Sequence, residues 1–295
     1  MKIFVFEPIG QCVGVNLAIN NALKIKEENE EKKVIFFGSL AHNEKILEEL
    51  SKNGLKTIDI KNFDENEKNN LLSSFDKNSI IIFQAHGTIK KYKNILIKNG
   101  VSFFDLACPI ILENKELIKK SILDNKKIIF VGKKDHEETK SILDVDKNIF
   151  FYDIKEGFIK KKPSKKDAIS VYFQTSLSIN DFKLIKKELE ENFENISFNC
   201  SLCKNILKRQ ENILNSKQKF DLVLIIGSKT SSNTNELFSV ARSHFESSLV
   251  MMVNSVEELK NIDFSIYENV AIASGTSAFN KTVEEILAYL KLINL

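Results

Sequence analysis

Three of the four cysteines in this chain, Cys12, Cys108 and Cys203, stand 96 and 95 residues apart. That spacing rules out a local clip. They can share one centre only if separate folding units bring them together, and thiolates that converge in this way are metal ligands. Two chemistries fit. All four cysteines, including the close pair Cys200 and Cys203, could hold zinc. Alternatively, three thiolates could hold an iron–sulfur cluster with one iron open to substrate. Zinc sites of four cysteines usually come as two close pairs, whereas this chain has one. Gly10, Gly14 and Ala107 also place small residues near Cys12 and Cys108, as close packing around a cluster requires. A buried thiol is the ordinary state of an isolated cysteine, but it gives no reason for a regular spacing.

Other chemistry-bearing residues repeat with the same period. Three of the four histidines, His42, His86 and His136, follow short apolar runs, while His244 lies in a charged, helix-like stretch. Glu138 lies two residues beyond His136, with Glu137 beside it; a secluded carboxyl group there could hold and deliver a proton near neutral pH. Residues 227–235, GSKTSSNTN, run from an apolar segment toward a helical one and are rich in hydroxyl and amide donors. Such a loop at a helix N-terminus suits a phosphate, although the GK[ST] order of a P-loop is missing. A Ser- and Asn-rich loop can also be an ordinary helix cap. Together with the histidines, it points to a diphosphate held without magnesium.

The elements that must position these residues are short strands alternating with amphipathic helices. Apolar runs at 34–37, 80–83, 128–131, 169–173, 222–226 and 270–273 predict strands, and 43–52, 114–123, 179–193 and 281–292 predict helices. This alternation implies an α/β fold with parallel-rich sheets, whose ligands sit beyond the carboxyl ends of the strands. The first strand of each unit ends at Gly38, Gly132 or Gly227, and four residues later stand His42, His136 and Ser231. The second strand leads into Gln84-Ala85-His86, Gln174-Thr175-Ser176 or Gly275-Thr276-Ser277. The expected organisation is three pseudo-repeated α/β lobes, 14–107, 108–199, and 200–295 with 1–13, around a central cleft.

Composition narrows the function classes. The 295 residues are 43% hydrophobic and 28% charged, with a net charge of +3, ordinary for a globular protein. Lysines alternate with glutamates and form no basic stripe, so nucleic acid is not an expected partner. No signal peptide or spanning segment is legible, and a cytoplasmic location is expected, where structural disulfides are rare.

The ordered motifs GQCVGV, HN, AHG, ACP, HEE, QTS, the Cys203 segment with Arg209-Gln210, GSKTSSNTN and SGTSA span nearly the whole chain. As a set they resemble the 4-hydroxy-3-methylbut-2-enyl diphosphate reductase family, which closes the methylerythritol phosphate route to isoprenoids. The resemblance implies a trefoil of three α/β lobes around a 4Fe–4S cluster held by Cys12, Cys108 and Cys203, with one open iron. The Arg209-Gln210 pair marks Cys203, rather than Cys200, as the third ligand. It further implies a diphosphate held by His42, His86, His136, Ser231, Ser232, Asn233 and Ser277, with Thr175 and Glu138 near the substrate hydroxyl. Glu138 would supply or relay protons, and an external donor such as a ferredoxin or flavodoxin would supply electrons. The chain departs from the family pattern at Ile9, Gln11, Leu17, Glu137, Ile206, Leu207 and Phe279, all neighbours of the implied site. A relative acting on another substrate, or a cluster-bearing sensor or electron carrier, is the alternative; a mere carrier would need neither Glu138 nor the diphosphate donors.

Overall fold

The computed structural model describes residues 1–38, 44–199 and 201–294, so His42 and Cys200 lie outside the described residues. All six expected strands form, within a longer set of thirteen among the described residues. The strands are β1 Lys2–Val5, β2 Lys33–Phe37, β3 Lys56–Ile58, β4 Ser79–Phe83, β5 Ser102–Asp105, β6 Lys127–Gly132 and β7 Phe150–Asp153. They continue with β8 Gly157–Phe158, β9 Ile169–Phe173, β10 Ile196–Asn199, β11 Leu222–Ile226, β12 Leu249–Val253 and β13 Asn269–Ser274.

These strands build three sheets, ordered β3-β2-β4-β5, β8-β7-β6-β9-β10 and β12-β11-β13-β1. Every pairing is parallel except β7 with β8. The three sheets share one plan: a central pair, a flanking strand after the first member, and a second flanking strand (β5, β10 or β1). Strands β4, β9 and β11 are buried at every position, as sheets covered by helices on both faces require. Their continuous apolar runs therefore follow from the topology.

Each sheet reverses its winding direction between the two central strands, which opens a crevice at their carboxyl ends. The loops singled out in the sequence leave from those ends. The cysteines also repeat structurally, since each follows a flanking strand and begins a helix. Cys12 precedes the helix Val13–Glu27, Cys108 is the N-cap of Pro109–Leu123, and Cys203 is the N-cap of Lys204–Leu214.

The chain divides into two compact units. One comprises Met1–Val15, a short stretch ending at Ile46, and the chain from Cys203 onward; it contains the β12-β11-β13-β1 sheet. The other comprises the remaining residues and the other two sheets. Among the described residues, no helix is long and apolar enough to cross a membrane.

Candidate active site: an acidic and a cationic cluster

In the larger unit, the crevice between β6 and β9 brings Glu138 to Thr175. The helix Glu137–Leu143 follows β6, and its N-cap is His136. The His136 Nδ1 accepts the Glu138 backbone N–H at 3.2 Å, so in the neutral ring the proton sits on Nε2, where it can be donated. Glu138, one residue into the helix, points inward and is 1% exposed. The Thr175 N–H donates to its Oε1 and the Thr175 hydroxyl to its Oε2, both at 2.8 Å. Burial pushes the Glu138 pKa up to about 7, while the two Thr175 hydrogen bonds and the Lys115 charge pull it down. The carboxyl is thereby held where it can change protonation state near neutral pH.

Glu137 resolves differently. It turns to Lys140 at 2.9 Å and Lys68 at 3.8 Å, and is a structural ion-pair partner. The His86 and His136 rings meet edge-on with centroids 5.0 Å apart. His86, His136 and Glu138 offer ligand atoms within 4.8 Å of one another, a spacing a cation could use. Both Glu138 oxygens are already engaged by Thr175, however, and burial favours the neutral acid, a poor metal ligand. The cluster is better suited to donating N–H and O–H groups.

Sequence reasoning passed over Lys115, two turns into the helix that Cys108 begins. Its ammonium donates to the Thr88 carbonyl at 3.4 Å and contributes positive charge at Glu138. An isolated lysine among 43 basic residues carries no sequence signal that would single it out.

In the smaller unit, the crevice between β11 and β13 joins the two hydroxyl-rich loops. Ser231 Oγ and Ser277 Oγ lie 3.0 Å apart, and Asn233 Nδ2 donates to Thr276 Oγ1 at 2.7 Å. Ser231 caps the helix Ser232–His244, so the second half of the GSKTSSNTN segment is already helical. Ser231 and Ser277 are buried, Ser232 and Asn233 half-buried. Hydroxyl and amide donors at a helix N-terminus suit an anion. Close approach of the two loops requires Gly275, because a Cβ there would lie 2.2 Å from Thr234 Oγ1.

Cys12 is tied to the same loops, its N–H donating to the Thr276 carbonyl at 2.9 Å. Arg209, on the helix that Cys203 begins, is 4% exposed and close enough to Cys12 and Cys203 for both to act on its charge. Burial pushes the Arg209 pKa down to about 10 and the two cysteines oppose that shift, so it remains cationic at neutral pH. Cys12, Cys108 and Cys203 are half-buried and none is in a disulfide.

The departures from the family pattern fall on different kinds of position. Ile9 packs against the apolar core of the smaller unit, Ile206 is 7% exposed, and Phe279 is an N-cap without a side-chain cap bond. Leu17 is exposed at 46%. His244 bonds the Ser216 carbonyl at 2.9 Å, a structural contact remote from the chemistry.

Comparison with known proteins agrees with this architecture. The LytB protein family model matches residues 3–291. A 4-hydroxy-3-methylbut-2-enyl diphosphate reductase of Malacoplasma penetrans is 32% identical over 282 residues, covering 94% of this chain and 93% of that protein. The enzyme of the same name from Kosmotoga olearia is 32% identical over 300 residues, covering 99% and 95%. The structure of the E-1-hydroxy-2-methyl-but-2-enyl-4-diphosphate reductase from Plasmodium falciparum superposes with a TM-score of 0.81 at 21% identity, covering 99% of this chain and 88% of that one. A second such reductase, described as the terminal enzyme of the non-mevalonate pathway, gives a TM-score of 0.67 at 20% identity, covering 99% and 100%. At those identities the structural likeness speaks to the fold.

Proposed function

The chain belongs to the LytB family, and on that footing we propose that it reduces 4-hydroxy-3-methylbut-2-enyl diphosphate to isopentenyl and dimethylallyl diphosphates. The balance is one allylic C–O bond broken with two electrons and two protons consumed, leaving water and a new C–H bond. The observation that carries this reading is the buried Glu138 carboxyl, held by Thr175 at 2.8 Å and poised near pH 7. A reductive dehydroxylation needs a proton source of this kind where bulk water is excluded.

The residues present suit an iron–sulfur cluster. The half-buried, unbridged Cys12, Cys108 and Cys203 each stand at a helix N-terminus, favourable ground for negative charge. The buried Arg209 acts electrostatically on two of them, and its Nε lacks an acceptor. A sulfide-rich anionic group held by Cys12, Cys108 and Cys203 is compatible with both features. A 4Fe–4S cluster held there would supply the electrons. An external donor such as a ferredoxin or flavodoxin replenishes them, in a cytoplasmic setting that keeps thiols reduced.

The protein's own residues do the rest. Ser231, Ser232, Asn233 and Ser277, with His42, His86 and His136, hold the diphosphate by hydrogen bonds. Thr175 orients Glu138, and Glu138 delivers a proton toward the departing hydroxyl. The lobes that carry these groups are 14–107, 108–199, and 200–295 with 1–13.

The test is anaerobic turnover of the allylic diphosphate by cluster-loaded protein, followed through oxidation of a reduced viologen dye. Cysteine-dependent dye oxidation with five-carbon diphosphate products is the expected result. Fully loaded protein that leaves this substrate intact would overturn the assignment in favour of a relative with another substrate or a redox sensor.

A further inference from the structure

Arg209 entered the sequence reading only as a marker for Cys203. In the structure its guanidinium closes a ring of hydrogen bonds around the segment that precedes Cys12. Nη2 donates to the Gly10 carbonyl at 2.7 Å. Nη1 donates to Ser274 Oγ at 2.7 Å and to the Ser274 carbonyl at 2.6 Å, with the Gly275 carbonyl at 3.2 Å. The same Ser274 Oγ accepts the Gly10 N–H at 2.7 Å. Gly10 is thus held through both its amide and its carbonyl, two residues before a candidate ligand.

Gly10 suits this clamp because its φ is +81° and a Cβ there would lie 2.4 Å from Asn280 Oδ1. Asn280 Oδ1 in turn accepts the Gln11 N–H at 2.7 Å. Immediately beyond Ser274 and Gly275, the Thr276 carbonyl receives the Cys12 N–H and the Thr276 hydroxyl receives Asn233. Ser277 then meets Ser231. An unbroken chain of contacts therefore runs from the Arg209 fork through Gly10 to Cys12, and through Ser274 to the hydroxyl-rich anion surface. A planar, permanently charged fork holds several carbonyls in fixed geometry better than a lysine can.

We propose that Arg209 is a positioning residue that locks the Cys12 segment to the Ser231–Asn233–Ser277 anion surface and places a fixed positive charge beside the group held by Cys12 and Cys203. This inference rests on the proposed function. It adds a residue that sets the potential of the cluster and couples it to diphosphate binding. A nearby cation stabilises the more negative, reduced state and so raises the reduction potential.

Three variants of the full chain, Arg209→Gln, Arg209→Lys and Ser274→Ala, test it with two readouts. One is the midpoint potential of the reconstituted cluster by dye-mediated titration followed by EPR. The other is pyrophosphate affinity by calorimetry. Arg209→Gln should shift the midpoint negative, and Arg209→Lys should restore it toward wild type. Arg209→Lys and Ser274→Ala should each weaken pyrophosphate binding by about tenfold, since each breaks the clamp without removing an anion donor. A purely structural arginine would lower thermal stability in all three while leaving the midpoint of the surviving cluster unchanged, and that result overturns the proposal. If Arg209→Gln takes up no cluster, wild-type pyrophosphate affinity in both other variants overturns it equally. Wild-type protein that binds neither iron nor sulfide would defeat the functional reading itself, a failure distinguishable from these.

Discussion

Glu138 and Arg209 are both buried ionisable side chains, 1% and 4% exposed, and burial pushes each toward its neutral form, yet the outcomes are opposite. Around Glu138 the partners are few: one threonine supplies both hydrogen bonds, and desolvation prevails, lifting the carboxyl to about 7. Around Arg209, carbonyls of Gly10, Ser274 and Gly275 and the Ser274 hydroxyl surround the fork, and a group that starts far above neutrality remains charged even when burial pushes it down to about 10. Burial thus makes a switchable acid in one cluster and leaves a fixed cation in the other. The difference lies in where each unperturbed pKa starts relative to neutrality.

The largest effect should come from removing the switchable proton. Glu138→Gln preserves size and a hydrogen-bonding end but cannot deliver a proton, and turnover should fall by about 100- to 10,000-fold. The absorption spectrum of the cluster should stay unchanged; activity retained within tenfold would end the comparison.

The same variant sharpens the comparison through stability. A carboxyl whose folded pKa is raised from 4.5 to about 7 binds its proton more tightly in the native state. Its stabilising contribution is full below the unfolded value and is lost as pH rises through the folded one. Wild-type protein should therefore lose up to about 3 kcal/mol between pH 4 and 8 from this group, and Glu138→Gln should not. Urea denaturation at the two pH values measures the difference, and parallel losses in both proteins would contradict the assignment.

A smaller shift follows from Thr175→Val. Without the hydroxyl that donates to Oε2, the carboxylate loses one of the bonds holding its pKa down. The alkaline fall in turnover should move to higher pH by up to about one unit. A pH–rate profile with an unmoved limb would show that the hydroxyl does not tune the acid.

The smallest effect belongs to a helix cap that holds none of the groups in either cluster. Asp64 forms a reciprocal capping box with Glu67 at the start of the helix Glu65–Ser73. Asp64→Ala should cost about 1 kcal/mol, read as a lower urea midpoint, and should leave the pH–rate profile in place. A moved profile would mean that stability alone, rather than local electrostatics, governs turnover.

Much of the protein was determined by its residues alone. Central strands such as β4 and β11 are continuous apolar runs that only a covered parallel sheet can use, and their periodic recurrence exposed the threefold plan. The cysteines and hydroxyl-rich loops were legible because their chemistry is rare and their spacing regular. The flanking strands β5, β10 and β1 escaped notice because each is four residues long and partly exposed. Their identity comes from backbone pairing with another strand, which composition cannot encode. The motif resemblance already named Glu138, but only the tertiary structure gives the physical reason: adjacent helical positions face different surroundings, and Glu137 meets Lys140 and Lys68. Only the fold could give Arg209 its role, since its partners Gly10 and Ser274 lie 199 and 65 residues away, and long-range burial decides what a charge can do.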